Sequence, residues 1–310
     1  MRTVGCDYAT PMRPAPLPAA PHRLSAASAF ATDRLPPHAY FLVSAVFHYL
    51  GPAFAVLLFA HVEPLGVAWL RIASAAVIFA AWRRPWRYYR GLQASARRNV
   101  LMLGSVLALM NVCFYLAIDR LPLGTVGAIE FLGPVGLAAL GARSKRNFLA
   151  LALATAGVYV LTDARIGGEA PGFAFAFADC ALFVLYIVLG HRIAADGGAA
   201  GIDRLGAAML VAMLVAFPIG IHQALPAVFS PVLLAAGIGV GVSSSVIPYV
   251  CDQLAMARLP RATFALLLAL LPAMASLIGA VVLHQLPSLL EIAGIVLVIG
   301  GVVLHRAAES

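Results

Sequence analysis

The residues of this chain best suited to chemistry stand inside otherwise apolar sequence: His48, Arg71, Asn111, Glu130, Asp179 and the run Ser243-Ser244-Ser245, with Tyr186 and Tyr249 nearby. Guanidinium and carboxylate groups bind ions of opposite sign, and a carboxylate can also carry a proton. Buried in hydrocarbon, an ionised side chain costs on the order of 2.5–3.5 kcal/mol on insertion scales, so each needs a partner or a task. Glu130 reads as a ligand for an ammonium group or a proton carrier, the alternative being a structural ion pair with Arg71. Arg71 is either a carboxylate anchor or a helix fastener. Asp179 sits in Phe-Ala-Asp-Cys-Ala and could pair with a cation or with His48. His48, Tyr186 and Tyr249 have simple packing as their alternative. Prolines follow two of the polar positions. Pro134 leaves the carbonyl of Glu130 without its helical donor, and Pro248 follows the serine run, which suggests an unwound segment there. An enzyme is not expected: there is no HExxH or DDxxD, and GVSSS at 241–245 lacks the second glycine of GxSxG. No metal and no cofactor is expected.

The elements that hold these groups follow from composition. Of 310 residues, 62% are hydrophobic and 11% charged, with mean hydropathy +0.94. A soluble domain has about 45–50% apolar and about 25% charged residues, so the solvent here is a lipid bilayer. The net charge of +8 would suggest nucleic acid in a soluble chain, but the arginines fall between apolar stretches, as topology signals do. Nucleic acid is therefore not an expected partner. Cys6, Cys113, Cys180 and Cys251 form no CxxC pair and read as inert thiols.

Residues 1–37 are proline-punctuated and lack the apolar core of a signal peptide, which reads as a flexible tail. Apolar stretches near the roughly 20 residues needed to cross hydrocarbon then follow at 38–60, 64–82, 99–118, 121–142, 147–163, 171–191, 205–224, 231–254, 260–283 and 287–305. The expected fold is an all-α integral membrane protein with ten transmembrane helices. With the N-terminus in the cytoplasm, eighteen basic residues lie inside and two, Arg120 and Arg165, outside. Both termini, including residues 306–310, are then cytoplasmic.

The chain also repeats itself. Asn111–Pro122 (NVCFYLAIDRLP) aligns with Tyr249–Pro260 (YVCDQLAMARLP) at seven of twelve positions; at the same shift of 138, Thr125 meets Thr263 and Pro134 meets Pro272. Two five-helix units, 38–163 and 171–305, would then cross the membrane in opposite senses. Inverted repeats are the architecture of alternating access, which points to a transporter with its site at the midplane. Glycines at 237, 239, 241, 294, 300 and 301 permit close helix approach, within one chain or across a homodimer seam.

The segments ARLPRATFALLLALLPAMASLIGAVVL (257–283), RLPLGTVGAIEFLGPVGLAAL (120–140) and LGVAWLRIASAAVIFAAWRRPWR (65–87) resemble EamA-type proteins of the drug/metabolite transporter superfamily, closest to the threonine/homoserine exporter branch. The most specific part is the paired [DA]RLP-x11-P pattern. The resemblance implies ten helices in two inverted repeats around a central cavity, in the bacterial plasma membrane. It also implies secondary efflux of small metabolites, amino acids most of all; a drug or nucleotide-sugar-like carrier is the alternative. Proton coupling is left open. His48 and Asp179 depart from the resemblance, being more polar than expected, and the N-terminal tail is long.

Overall fold

The structure is a computed structural model, and it describes residues 36–133, 136, 144–163, 169–194, 198–256 and 271–304. The expected tails, and Pro134, lie outside these residues, apart from the last tail residues 36 and 37. Helices are the only regular elements among the described residues. They run α1 (Pro37–Leu58), α2 (Pro64–Arg83), α3 (Pro85–Gly91), α4 (Ala94–Ile118), α5 (Leu123–Glu130), α6 (Lys145–Asp163), α7 (Ala170–Ala194), α8 (Gly198–Val228), α9 (Pro231–Gly241), α10 (Ile247–Met256), α11 (Leu271–Leu283) and α12 (Leu289–Leu304). A π-helical turn, Val242–Val246, joins α9 to α10.

An apolar chain in lipid has no water to satisfy its peptide groups, so each crossing closes its own hydrogen bonds as a helix. Six stretches are long and apolar enough to cross a membrane: His38–Leu58, Pro64–Arg83, Ala94–Ile118, Ala170–Gly190, Gly201–Val228 and Pro231–Asp252. Two shorter apolar helices are Leu271–Leu283 and Leu289–Gly301. Large apolar side chains such as Leu42, Phe54, Val77, Phe148, Leu214, Val232, Val281 and Val296 face outward, as a lipid-facing surface requires.

Several elements differ from the sequence expectation. The basic stretch after α2 is not a plain loop: Arg84 takes a left-handed turn (φ 50°) and Pro85 opens α3. Proline suits a first helical position, where its missing N–H is not needed. Helices α4 and α8 extend beyond the expected 99–118 and 205–224, because polar and charged residues at a helix end leave hydrocarbon without breaking the backbone bonds. The serine run is not unwound; it is a wider helical turn.

Buried apolar residues form two clusters. One gathers α1, α5, α11, the last turns of α4 and the first half of α7. The other gathers the second half of α2, the first turns of α4, the end of α7 and most of α8. The change from one to the other falls at Arg71 on α2, between Leu70 and Ile72. On α4 it falls between Met110 and Phe114, at Asn111, and in the π-helical turn it falls at Ser243–Ser245. Polar side chains thus gather where the two apolar clusters meet.

Glycines set the closest approaches. A Cβ on Gly241 would collide with Ser74 Oγ and lie 2.8 Å from the Arg71 carbonyl, so α9 sits directly on α2. Gly157 faces the Gly294 carbonyl and Gly301 the Ala150 carbonyl, which uses two of the expected small positions to seat α12 on α6 within one chain. Gly51 on α1 lies against Ser244, whose backbone nitrogen would be 2.7 Å from an added Cβ. The Gly51→Ala variant is expected to lose about 1–3 kcal/mol through overpacking, measured as a lowered Tm in detergent. Gly239→Ala, where nothing stands within 4 Å, is expected to leave Tm unchanged or slightly raised.

Candidate functional site

The site begins with a backbone defect. Pro248 has no N–H to give Ser244, its i−4 neighbour, so that carbonyl lacks a helical donor. Ile247 N–H instead reaches back to the Val242 carbonyl, five residues away, and opens the π-helical turn. Arg71 fills the gap from α2. Its Nη2 donates to the Ser244 carbonyl at 2.8 Å and its Nε to Ser245 Oγ at 2.9 Å. Ser243 Oγ donates back to the Gly239 carbonyl at 2.8 Å. Arg71 is thus a fastener for this turn, and it forms no ion pair with Glu130. The alternative of an Arg71–Glu130 pair gives way because Pro248 presents the guanidinium with a fixed acceptor.

Glu130 is the last residue of α5 and 3% exposed; Tyr49 Oη of α1 donates to its Oε2 at 3.3 Å. Asp179 of α7 is fully buried, and neither of its carboxylate oxygens has a hydrogen-bond partner. It interacts electrostatically with Glu130 and Arg71. The expected Asp179–His48 pair is absent. The His48 ring meets Tyr49 edge-on at 5.2 Å between centroids, which leaves Asp179 without it. Tyr115 of α4 lies under Arg71, its ring centroid 5.6 Å from the guanidinium carbon, and next to Ser244. The Tyr115 hydroxyl and Ser244 Oγ lie near each other and near Arg71, but neither completes a hydrogen bond of good geometry.

Among the described residues, five buried side-chain polar atoms lack partners: Trp69 Nε1, Tyr115 Oη, both Asp179 oxygens and Ser244 Oγ. Four of the five belong to this polar layer. Buried polar atoms in folded proteins are nearly always bonded, so such clustering marks a place where another molecule supplies the partners.

Asn111 donates to the Leu107 carbonyl of its own helix at 2.7 Å and interacts with Tyr249. Tyr186 stacks on Phe183 at 5.9 Å and tilts against Tyr249 at 6.2 Å. Phe183 meets Phe131 at 6.1 Å, so an aromatic run leads from the residue after Glu130 to Tyr249. Pro272 stands second in α11, where Ser276 Oγ donates to its carbonyl at 3.0 Å, away from the Arg71 network. The structure therefore brings together Arg71, Glu130, Asp179 and Ser244, with His48 at the edge, and Asn111, Tyr186 and Tyr249 along one flank.

Sequence reasoning missed Tyr49, Tyr115 and Asp252. Tyr115 lies four residues after Asn111, on the same helical face. Asp252 of α10 interacts with Tyr186, Tyr249 and Ser44. In the sequence repeat it stands where the first copy has Phe114, and that mismatch was the available signal.

Comparison with known proteins gives the family. The profile of the EamA-like transporter family matches residues 170–306. The threonine/homoserine exporters RhtA of Escherichia coli K12 and of Salmonella typhimurium LT2 are each 33% identical over 240 residues, covering 76% of this chain and 79% of theirs. The chain belongs to the EamA-like transporter family. As an EamA-like transporter it is a multi-pass membrane protein that moves a solute, and not an enzyme. A solved crystal structure superposes with TM-score 0.57 at 19% identity, over 86% of this chain and 97% of the other, and shares its fold.

Proposed function

We propose that this transporter exports threonine, homoserine or similarly sized neutral amino acids, binding them in the polar layer around Arg71. The relatives named above are exporters of threonine and homoserine. The observation that carries the reading is the complementarity of the unpartnered groups. Two are hydroxyl donors beside a guanidinium, Tyr115 and Ser244, and one is a carboxylate, Asp179. A zwitterion presents the matching halves: its carboxylate takes the donors, and its ammonium takes Asp179 and Glu130. Arg71 contributes by holding the Ser244 turn and by its charge. Asn111, Tyr186, Tyr249 and His48 shape the wall.

In this reading ten spans form two inverted five-helix units, 38–163 and 171–305, with both termini in the cytoplasm, and the site opens to each face in turn. The pair Glu130 and Asp179 faces one guanidinium and keeps a surplus negative charge, which either a proton or the substrate ammonium neutralises. Exchange of one for the other would couple export to the proton gradient.

The test is radiolabelled threonine flux in proteoliposomes with and without an imposed pH gradient. Saturable flux, accelerated by protons moving the opposite way, is the expected result. Flux of threonine no faster than through empty vesicles would overturn the assignment of substrate. Reporter tags placing residues 120 and 258 on the same side of the membrane would overturn the inverted repeat.

A further inference from the structure

A cavity of about 340 Å³ lies at one end of the bundle, between the α4–α5 corner and the α11–α12 connection. Asp119, Arg120, Thr125, Ser276, Gln285 and Glu291 supply its polar lining. It is separate from the Arg71 layer: Thr125 is five residues before Glu130 on α5, or roughly 7.5 Å along the axis. Resting on the transport reading, we infer that this cavity is a second amino-acid site, on the extracytoplasmic face, that holds the exported zwitterion before release.

The walls are built and positioned. Arg120 donates to the Leu116 carbonyl at 2.6 Å and lies over the Phe175 ring at 5.5 Å, which fixes the guanidinium at the cavity edge. Its ion pair with Asp119 spans 3.3 Å, with the two side chains 35% and 34% exposed. Exposed pairs of this kind are weak, so a ligand carboxylate can compete for Arg120. On the opposite wall α11 ends at Leu283 and His284 follows in the left-handed region (φ 54°). Gln285 then accepts the Leu123 N–H at 3.1 Å and ties the α11–α12 connection to α5. Ser288 and Glu291 form a capping box, with Ser288 N–H donating to Glu291 Oε2 at 2.8 Å and Glu291 N–H to Ser288 Oγ at 3.2 Å. The box explains why Glu291 stands at the helix start, with its 5% exposed, hydrogen-bonded carboxylate on the cavity wall.

Chemistry and size then choose the ligand. A cavity near 300 Å³ is at the small end of ligand pockets, suited to a single amino acid and a few waters. One guanidinium faces two carboxylates, which suits an ammonium–carboxylate ligand and disfavours one with a second negative charge. The sequence repeat shows which residues of the corner recur. Arg-Leu-Pro and the threonine recur in both halves (Arg120/Arg258, Thr125/Thr263), whereas Asp119 is matched by Ala257.

Equilibrium binding of radiolabelled L-threonine to the full chain in nanodiscs tests this, alongside proteoliposome export. The wild type is expected to bind two threonines per chain. Arg120→Gln and Glu291→Gln should each retain one, and L-aspartate should not compete at the site they remove. Glu291→Gln keeps the capping bond through its amide oxygen and serves if Arg120→Gln fails to fold. Asp179→Asn should lose the other threonine. One threonine per wild-type chain, lost in Asp179→Asn and kept in Glu291→Gln, overturns the second site while the central one stands. Neither binding nor export by the wild type overturns both.

Discussion

Threonine export by the Asp179→Asn variant is expected to fall at least tenfold, with membrane insertion and the size-exclusion profile unchanged. Asparagine keeps the shape of the side chain and removes its charge. A hydrogen bond to a charged group contributes about 1.5–3 kcal/mol, a factor of roughly 10 to 100. Both oxygens of Asp179 are fully buried and unpartnered, so the folded transporter loses no internal bond. Glu130→Gln should fall less, because Tyr49 already donates to Glu130 and can donate equally to an amide oxygen. Proteoliposome efflux of labelled threonine measures both. Wild-type rates in both variants would return these carboxylates to a structural role.

The second large effect is on stability. Arg71→Met strips the Ser244 carbonyl and Ser245 hydroxyl of their donors and should cost roughly 3 kcal/mol or more. Arg71→Lys should rescue little, since an ammonium cannot span two acceptors as the planar fork does. The partner in a double-mutant cycle is Pro248. Pro248→Ala returns an N–H that can close on the Ser244 carbonyl in ordinary helical register. Arg71→Met is therefore expected to cost at least 1 kcal/mol less in the Pro248→Ala background. Thermal unfolding in detergent, followed without substrate, measures the cycle. An equal cost in both backgrounds would mean that Arg71 is not there to serve this carbonyl.

The helices were readable from the sequence because hydrocarbon leaves an apolar run no other way to bond its backbone. The expected 64–82 and 147–163 lie within a few residues of α2 and α6. Where the chain meets water the rule loses its grip, and there α3 and the first turn of α4 went unread among arginines. The charged members of the site were readable for a related reason: the cost of burying Arg71, Glu130 and Asp179 singles them out. Their pairing was not. Spacing cannot say which helix faces meet, and the partner of Arg71 is a carbonyl that only Pro248, 177 positions away, sets free. Tyr49 and Tyr115 escaped because an aromatic ring fits an apolar wall equally well and shows its hydroxyl only in three dimensions.

The division into two apolar clusters has a mechanical outcome. Trp69 packs against both, Phe131 of one meets Phe183 of the other at 6.1 Å, and α2, α4, α7 and α8 each contribute to both, so helices parted at one end pull on the other. The work of opening one face is therefore shared along the whole length of those four helices.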